Sequence, residues 1–199
     1  MPRRAHPRAR GFTLPELMAV IAIVGVMAAI AMSALGRSGD AQNSASLARS
    51  LQFAIMGARN STLSDNFIRR VSCTLAATNG NCTVDRACQS GSPLPSSCTF
   101  TQEQKVTANS HATLWNVTSS TDITANNAGG SQVSGTKTMY LKPDGTVCDN
   151  YATASAPTTA CTSAGFTFYV SDSNGTNLSN RYKIYVYSYT GMPRMVNQW

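Results

Sequence analysis

The chain has 199 residues, of which 42% are hydrophobic and 13% charged, and its 16 Lys and Arg against 9 Asp and Glu give a formal net charge of +7. This length fits one domain, or one domain with an appendage, and the hydrophobic content argues against a disordered or collagen-like chain. The charge and the apolar residues are unevenly distributed, and the first 36 residues carry most of the unevenness.

The N-terminal segment combines a basic stretch with an apolar one. Residues 1–11 contain four arginines and no acid, whereas residues 12–36 contain one ionisable side chain, that of Glu16. A helix of 25 residues is long enough to cross a hydrocarbon core of about 30 Å. A secretory signal peptide begins similarly, but a small-residue cleavage site is not clearly placed after the apolar run. We therefore predict a retained transmembrane helix, with the arginines on the cytoplasmic side.

Glu16 lies one helical turn into this apolar run. A carboxylate in that position is costly, so it is usually paired or functional. The alternative is that Glu16 lies in the headgroup region and caps the first turn, where the helix dipole favours a negative charge.

The segment RGFTLPEL at residues 10–17 resembles the class III signal of type IV pilins and type II secretion pseudopilins. In that family a prepilin peptidase cuts after the glycine and methylates the new N-terminus. The resemblance implies a cut between Gly11 and Phe12, which makes Phe12 the first mature residue. It also implies assembly with other pilins or minor pilins through the N-terminal helix. Pro15 replaces the usual aliphatic residue, but first-turn amides have no intrahelical partner, so a proline is tolerated there.

The same resemblance gives Glu16 a role in assembly. A buried carboxylate needs a cation, and the freed amine of Phe12 on a neighbouring subunit can supply one as helices stack. Residues 1–11 are then a leader peptide, and residues 12–36 are the transmembrane and assembly helix, held in the inner membrane before assembly.

The helix is expected to continue outside the membrane to about residue 62. In residues 37–62 the apolar positions recur at helical spacing, and they are Leu47, Leu51, Ala54, Ile55 and Ala58. Ser38, Gly39 and Asp40 mark a kink or loosening. The amphipathic stripe predicts packing on a globular domain formed by residues 63–199.

The globular part is predicted to be β-rich. Short runs of alternating or aromatic residues between turn signals predict strands at 66–73, 98–106, 112–118, 137–142, 165–170 and 181–189. The segments TNGN, NNAGGS, PDG and SDSNG indicate turns or loops. The predicted fold class is α+β, with one long helix packed on an antiparallel sheet, as in a pilin.

Two segments of this part resemble GspH/FimT/FimU-type minor pilins. They are KPDGT at residues 142–146, and the strand from Ile184 to Tyr189 that runs into TGMPR at residues 190–194. Independently of the resemblance, PDG predicts a β-turn with Pro143 at a preset φ and Gly145 at a permissive position. The resemblance implies a minor pilin near the filament tip, in a priming complex with other minor pilins.

All six cysteines lie beyond the helix, on the side that the arginines assign to the outside. They are Cys73, Cys82, Cys88, Cys98, Cys148 and Cys161. An even count there indicates disulfides, and of the 15 pairings that six cysteines allow, short loops favour 73–82, 88–98 and 148–161. A zinc site is disfavoured because no CxxC pair occurs and only His111 remains after leader removal.

The sequence indicates no enzyme and no cofactor, since it carries neither a nucleophile motif nor a glycine-rich phosphate loop. A type II secretion minor pseudopilin is an alternative to a pilus subunit, because the leader and helix are shared.

A further alternative is a DNA-binding minor pilin for natural transformation. In the FimT type a basic GRxR-like motif follows the terminal strand, and this chain offers Gly191 to Arg194, with Met192 in place of the first arginine. Arg181 and Lys183 could join Arg194 in contacts to phosphates. We favour a solvated strand face, because loss of the four leader arginines leaves 12 basic against 9 acidic residues, or +3.

Overall fold

The computed structural model of the chain describes residues 14–75, 80–90, 93–109, 112–115, 135–149, 151, 165–172 and 178–197. The chain divides into two compact units, Met1–Ser38 and Gly39–Trp199. This boundary lies within the tripeptide Ser38–Asp40, where the sequence predicts a kink or loosening. The 52-residue helix α1 (Leu14–Asp65) continues through the tripeptide without a break. The prediction of one long helix is confirmed, and its end is three residues beyond the predicted position.

The first unit contains the apolar part of α1. Leu14–Met32 has a mean hydropathy of 2.3, and none of it is buried. By length and composition this is the one helix, among the residues that the structure describes, that could cross a membrane.

Within the second unit, α1 is amphipathic as predicted. Its buried side chains are Leu47, Ala48, Leu51, Ala54, Ile55 and Ala58, which recur every three or four residues. The opposite face carries the exposed residues Arg49, Phe53 and Gly57. The apolar stripe is therefore the side on which the strands pack.

In the described parts of the chain, nine strands follow α1. They are β1 (Phe67–Leu75), β2 (Asn81–Ser90), β3 (Thr101–Thr107), β4 (Ala112–Trp115), β5 (Gly135–Leu141), β6 (Val147–Cys148), β7 (Phe166–Asp172), β8 (Tyr182–Val186) and β9 (Pro193–Asn197). They form two antiparallel sheets, one ordered β3-β2-β1-β5-β6 and the other β4-β7-β8-β9. The α+β fold class is confirmed, with two sheets where one was predicted.

Both sheets contribute to one core with α1. The first sheet supplies Val71, Met139 and Leu141, and the second supplies Phe168 and Ile184, all of them buried. A polar contact also joins the sheets, since the Nζ of Lys137 on β5 donates to the carbonyl oxygen of Thr167 on β7 at 2.7 Å. Burial lowers the pKa of this ammonium group.

Six predicted strands correspond to β1, β3, β4, β5, β7 and β8, with shifted ends. The last one was wrong at its C-terminus, because β8 stops at Val186 and Ser188–Thr190 form a turn. Residues 116–118 of the predicted third strand lie outside the described residues.

Three strands were not predicted. β2 buries Cys82, Val84 and Ala87 along a polar sequence, and it follows directly on a turn signal. β6 has two residues, which is too short for a pattern. β9 begins at Pro193, and a proline in a run argues against a strand except at an edge, which is where β9 lies.

The end of α1 is fixed by a left-handed residue and an ion cluster. Asn66 has a φ of 61° and donates its N–H to the Thr62 carbonyl oxygen at 3.1 Å. Arg69, which is 3% exposed, binds Asp65 at 2.7 Å and Glu103 at 2.8 Å. The cluster therefore ties α1 to β1 and β3.

Candidate functional site

Of the predicted processing and assembly residues, Glu16 is the one that the structure describes. Glu16 is in the first turn of the helix and is exposed, where its charge is favoured by the helix dipole. Gly11 and Phe12 lie outside the described residues. Beyond Glu16 the exposed large side chains of this unit are aliphatic or thioether groups, from Leu17 to Met32.

The second unit also leaves one face of α1 open. A groove of about 500 Å³ runs along it and is lined by Ala41, Gln42, Ala45, Ser46, Arg49, Ser50 and Phe53. Small residues at this spacing let another helix approach closely.

The segment KPDGT forms the predicted turn between β5 and β6. Gly145 has a φ of 85° and donates its N–H to the Lys142 carbonyl oxygen at 2.9 Å. The N–H and hydroxyl of Thr146 donate to Asp144 Oδ1 at 2.8 and 2.6 Å. Partial burial acts to raise the pKa of Asp144, but the bonds from Thr146 and the charge of Lys142 outweigh it, so that pKa is lowered.

The segment TGMPR forms a second turn, between β8 and β9. Gly191 has a φ of 62° and donates to the Tyr187 carbonyl oxygen at 2.8 Å. The Nε of Arg59 on α1 donates to the Thr190 carbonyl oxygen, and the N–H of Val147 donates to the Ser188 carbonyl oxygen at 2.7 Å.

These two turns pack against each other. A Cβ built on Gly191 would lie 3.1 Å from the Gly145 carbonyl oxygen and 3.4 Å from Arg59 Cδ, and one on Gly145 would lie 3.9 Å from Leu63 Cδ2. We call this assembly the paired turns. The two segments that carry the resemblance to GspH/FimT/FimU-type minor pilins are thus brought together beside the last turns of α1.

The three cations predicted for DNA contact do not share one surface. Arg181 is 1% exposed, so its prediction as a surface group was wrong. Burial lowers the pKa of Arg181 and the charge of Asp172 raises it, with a net lowering. Lys183 and Arg194 do lie on one outward face, because Lys183 pairs with Val196 and Tyr185 pairs with Arg194 while the alternate residue Ile184 is buried.

Four of the six cysteines form two of the pairs that short loops favour. Cys73 bonds to Cys82 and Cys88 bonds to Cys98. Cys148 is also disulfide-bonded, and Cys161 lies outside the described residues, as does His111. In the described ranges no group of three or more His, Cys, Asp or Glu side chains could hold a metal ion.

Residues 6–32 match the family model of the prokaryotic N-terminal methylation motif. This match supports the type IV pilin and pseudopilin family, and with it processing by a prepilin peptidase, membrane anchoring and assembly with other pilins. No curated protein and no solved structure matches the chain.

The sequence did not predict the contact between the two turns or the hydrogen bond from Arg59 to Thr190. One indication of this contact is present in the sequence, because each turn segment contains a glycine. Glycine permits both a positive φ and a close approach of two backbones. Nothing in the sequence indicates that the two glycines meet, because 45 residues separate Gly145 from Gly191.

Proposed function

We propose that the chain is a minor type IV pilin, processed by prepilin peptidase between Gly11 and Phe12 and incorporated near the tip of a pilus. The observation that carries the proposal is the methylation motif at residues 6–32, whose described part, Leu14–Met32, is an exposed apolar helix with Glu16 in its first turn. The place near the tip rests on the resemblance of the paired-turn segments to minor pilins.

The proposed topology follows from charge. The leader arginines stay in the cytoplasm, α1 anchors the chain in the inner membrane, and the disulfide-bonded unit lies in the periplasm. During assembly α1 leaves the lipid and packs on helices of other subunits. The open groove along Arg49 and Phe53 supplies a face for that packing in the second unit.

Glu16 then sets the register between subunits. Its carboxylate is stabilised when the methylated amine of Phe12 from a neighbouring helix approaches, because charge-assisted hydrogen bonds gain strength away from water. This pairing favours one stagger of the helices over others.

The test separates processing from assembly. Gly11→Ala should block leader removal, read as the mass of the membrane-bound chain. Glu16→Gln should be processed and methylated normally but should be strongly reduced in sheared filaments, whereas Glu16→Asp keeps the charge and should retain part of the incorporation. Normal incorporation of Glu16→Gln would count against the registration mechanism, and an uncut wild-type chain would count against the proposed function.

The same motif occurs in pseudopilins of type II secretion, so a second readout is needed. Deletion of the gene should reduce surface pili if the chain is a minor pilin. Loss of protein export with normal pili would assign it instead to a secretion system, as would neighbouring genes of a secretion operon.

A further inference from the structure

Most of the large apolar side chains that are exposed among the described residues of the second unit lie at the paired turns. Six are exposed, and four of them lie in these turns or against them, with exposed fractions between 41 and 77%. The four are Leu63, Tyr187, Tyr189 and Met192, and the other two are Phe53 on α1 and Val196 on β9. A concentration of exposed apolar side chains marks an interaction site.

Hydrogen bonds hold the backbone that bears these side chains. The turn that bears Tyr189 is held by the bonds from Arg59 to Thr190 and from Val147 to Ser188. The rings of Tyr185 and Tyr187 pack edge to face with their centroids 4.8 Å apart. A backbone that is already held by such bonds loses less conformational entropy on binding than the backbone of a mobile loop.

The composition of this surface is that of a protein interface. Tyrosine, methionine and arginine are enriched at interfaces and among the residues that dominate binding energy. Tyr189 is 77% exposed and Arg194 is exposed on the adjoining face of β9.

The charges indicate the chemistry of the partner. Lys142 and Arg194 belong to the two turn segments and are at least partly exposed, and Lys183 is partly exposed on the same outward face as Arg194. Asp144 carries the one carboxylate among the described residues of the two turn segments, 142–146 and 190–194. Its Oδ1 accepts two hydrogen bonds from Thr146. A cationic rim around apolar side chains complements an apolar surface with acidic groups at its edge.

We propose that the paired turns are the docking surface for a second, different pilin-class subunit, which presents an apolar patch rimmed by acidic residues. This inference rests on the proposed function, because it takes the partner from the same filament. It adds a contact through the globular unit to the helix packing that the motif implies.

A protein partner fits this surface better than a nucleic acid. Non-specific DNA binding needs several cations along the phosphate backbone. Arg181 is buried and the Nε of Arg59 is bound to Thr190, which leaves Lys183 and Arg194 on the outward face of β8 and β9. These two cations and Lys142, beside four exposed apolar side chains, favour an apolar contact with a charged rim.

The experiment places a photo-crosslinking amino acid at position 189 of the full-length chain, expressed in cells that assemble filaments. The expected product is an adduct to another processed, motif-bearing subunit, mapped by mass spectrometry to a peptide that contains Asp or Glu. Arg194→Glu or Met192→Ser should lower the adduct yield roughly tenfold, because such contacts carry much of the interface energy.

The matched control is Lys105→Glu, which reverses an exposed charge on β3 and should leave the yield unchanged. Leader removal and recovery in sheared filaments are measured for every variant, so failure of the proposed function is seen separately. A chain that is processed and incorporated but gives no adduct overturns the inference. So does an adduct to a second copy of this chain, or to DNA supplied as a labelled oligonucleotide.

Discussion

Gly191 packs directly on the main chain of Gly145, so that a Cβ built on Gly191 would lie 3.1 Å from the Gly145 carbonyl oxygen. The contact joins the turn after β5 to the turn after β8. The end of α1 lies against both turns, through Leu63 at Gly145 and through Arg59 at Thr190 and Gly191. The position of the exposed tyrosines therefore depends on a backbone contact between residues far apart in the sequence.

Gly191→Ala tests this contact. The new Cβ must enter a left-handed conformation and a tight space, so we expect a loss of about 1–3 kcal/mol in the free energy of unfolding. Denaturant unfolding of the full-length protein in detergent measures it.

Gly57→Ala is the control for that substitution. Gly57 lies within α1, and a Cβ there meets nothing within 4 Å. Alanine is the better helix former, so a gain of about 0.5–1 kcal/mol is expected. Equal effects of the two substitutions would show that the contact between the turns contributes nothing.

The ion cluster at the end of α1 gives a second prediction. Arg69→Leu removes the partner of two carboxylates, those of Asp65 and Glu103, which are each one-third exposed. Because water can partly replace the arginine, we expect a loss of about 1–3 kcal/mol, less than for a fully buried pair. Arg86→Leu is the control, since Arg86 is more exposed and lies 3.6 Å from Glu103, and its loss should stay below about 1 kcal/mol.

The long helix and the β-turn were predictable because each depends on local sequence. The stripe from Leu47 to Ala58 specifies the buried face of α1, and Pro143 with Gly145 specifies a turn. The strand β2 could not be predicted, because its hydrogen-bond partners lie in β1 and β3 and its own sequence is polar. Non-local pairing of this kind overrides strand propensity.

Some residues of the candidate site were likewise predictable from local sequence, and others were not. Gly11, Phe12 and Glu16 form a linear motif, which a sequence displays directly. The burial of Arg181 depends on strands contributed by distant segments, and its neighbour Asp172 belongs to β7. Because strand residues alternate between faces, a strand that included both Arg181 and Lys183 would place them on the same face. In the structure Arg181 precedes Tyr182, the first residue of β8, so this alternation does not apply to it.

Low pH should lower the stability that the ion cluster at the C-terminal end of α1 provides. The hydrogen bond from Arg69 lowers the pKa of Asp65 below its usual value of 3.8. A depressed pKa means that the carboxylate stabilises the folded state above pH 3.8 and that this contribution is lost as the pH falls through the lowered pKa. The free energy of unfolding, followed from neutral pH to below 3.8, should therefore fall more steeply in the wild type than in Asp65→Asn. Parallel curves would contradict the assignment.

Both disulfides should contribute to the stability of the second unit, and to different extents. Cys73–Cys82 joins β1 to β2 within the core, and Cys88–Cys98 closes the segment that leads from β2 towards β3. Loops of about ten residues predict roughly 2–3 kcal/mol each, through the entropy of the unfolded chain. Replacing both cysteines of either pair by alanine should lower the free energy of unfolding by at least that amount.

The double variants also separate the two bridges. The pair 73 and 82 is buried, so its replacement leaves a cavity and should cost more than replacement of 88 and 98. Neither bridge touches the paired turns, so both variants should keep the crosslink at position 189 while they remain folded. Alkylation without prior reduction should leave the intact mass of the wild type unchanged, whereas reduction before alkylation should add six labels. Six labels without reduction would refute the disulfide assignment.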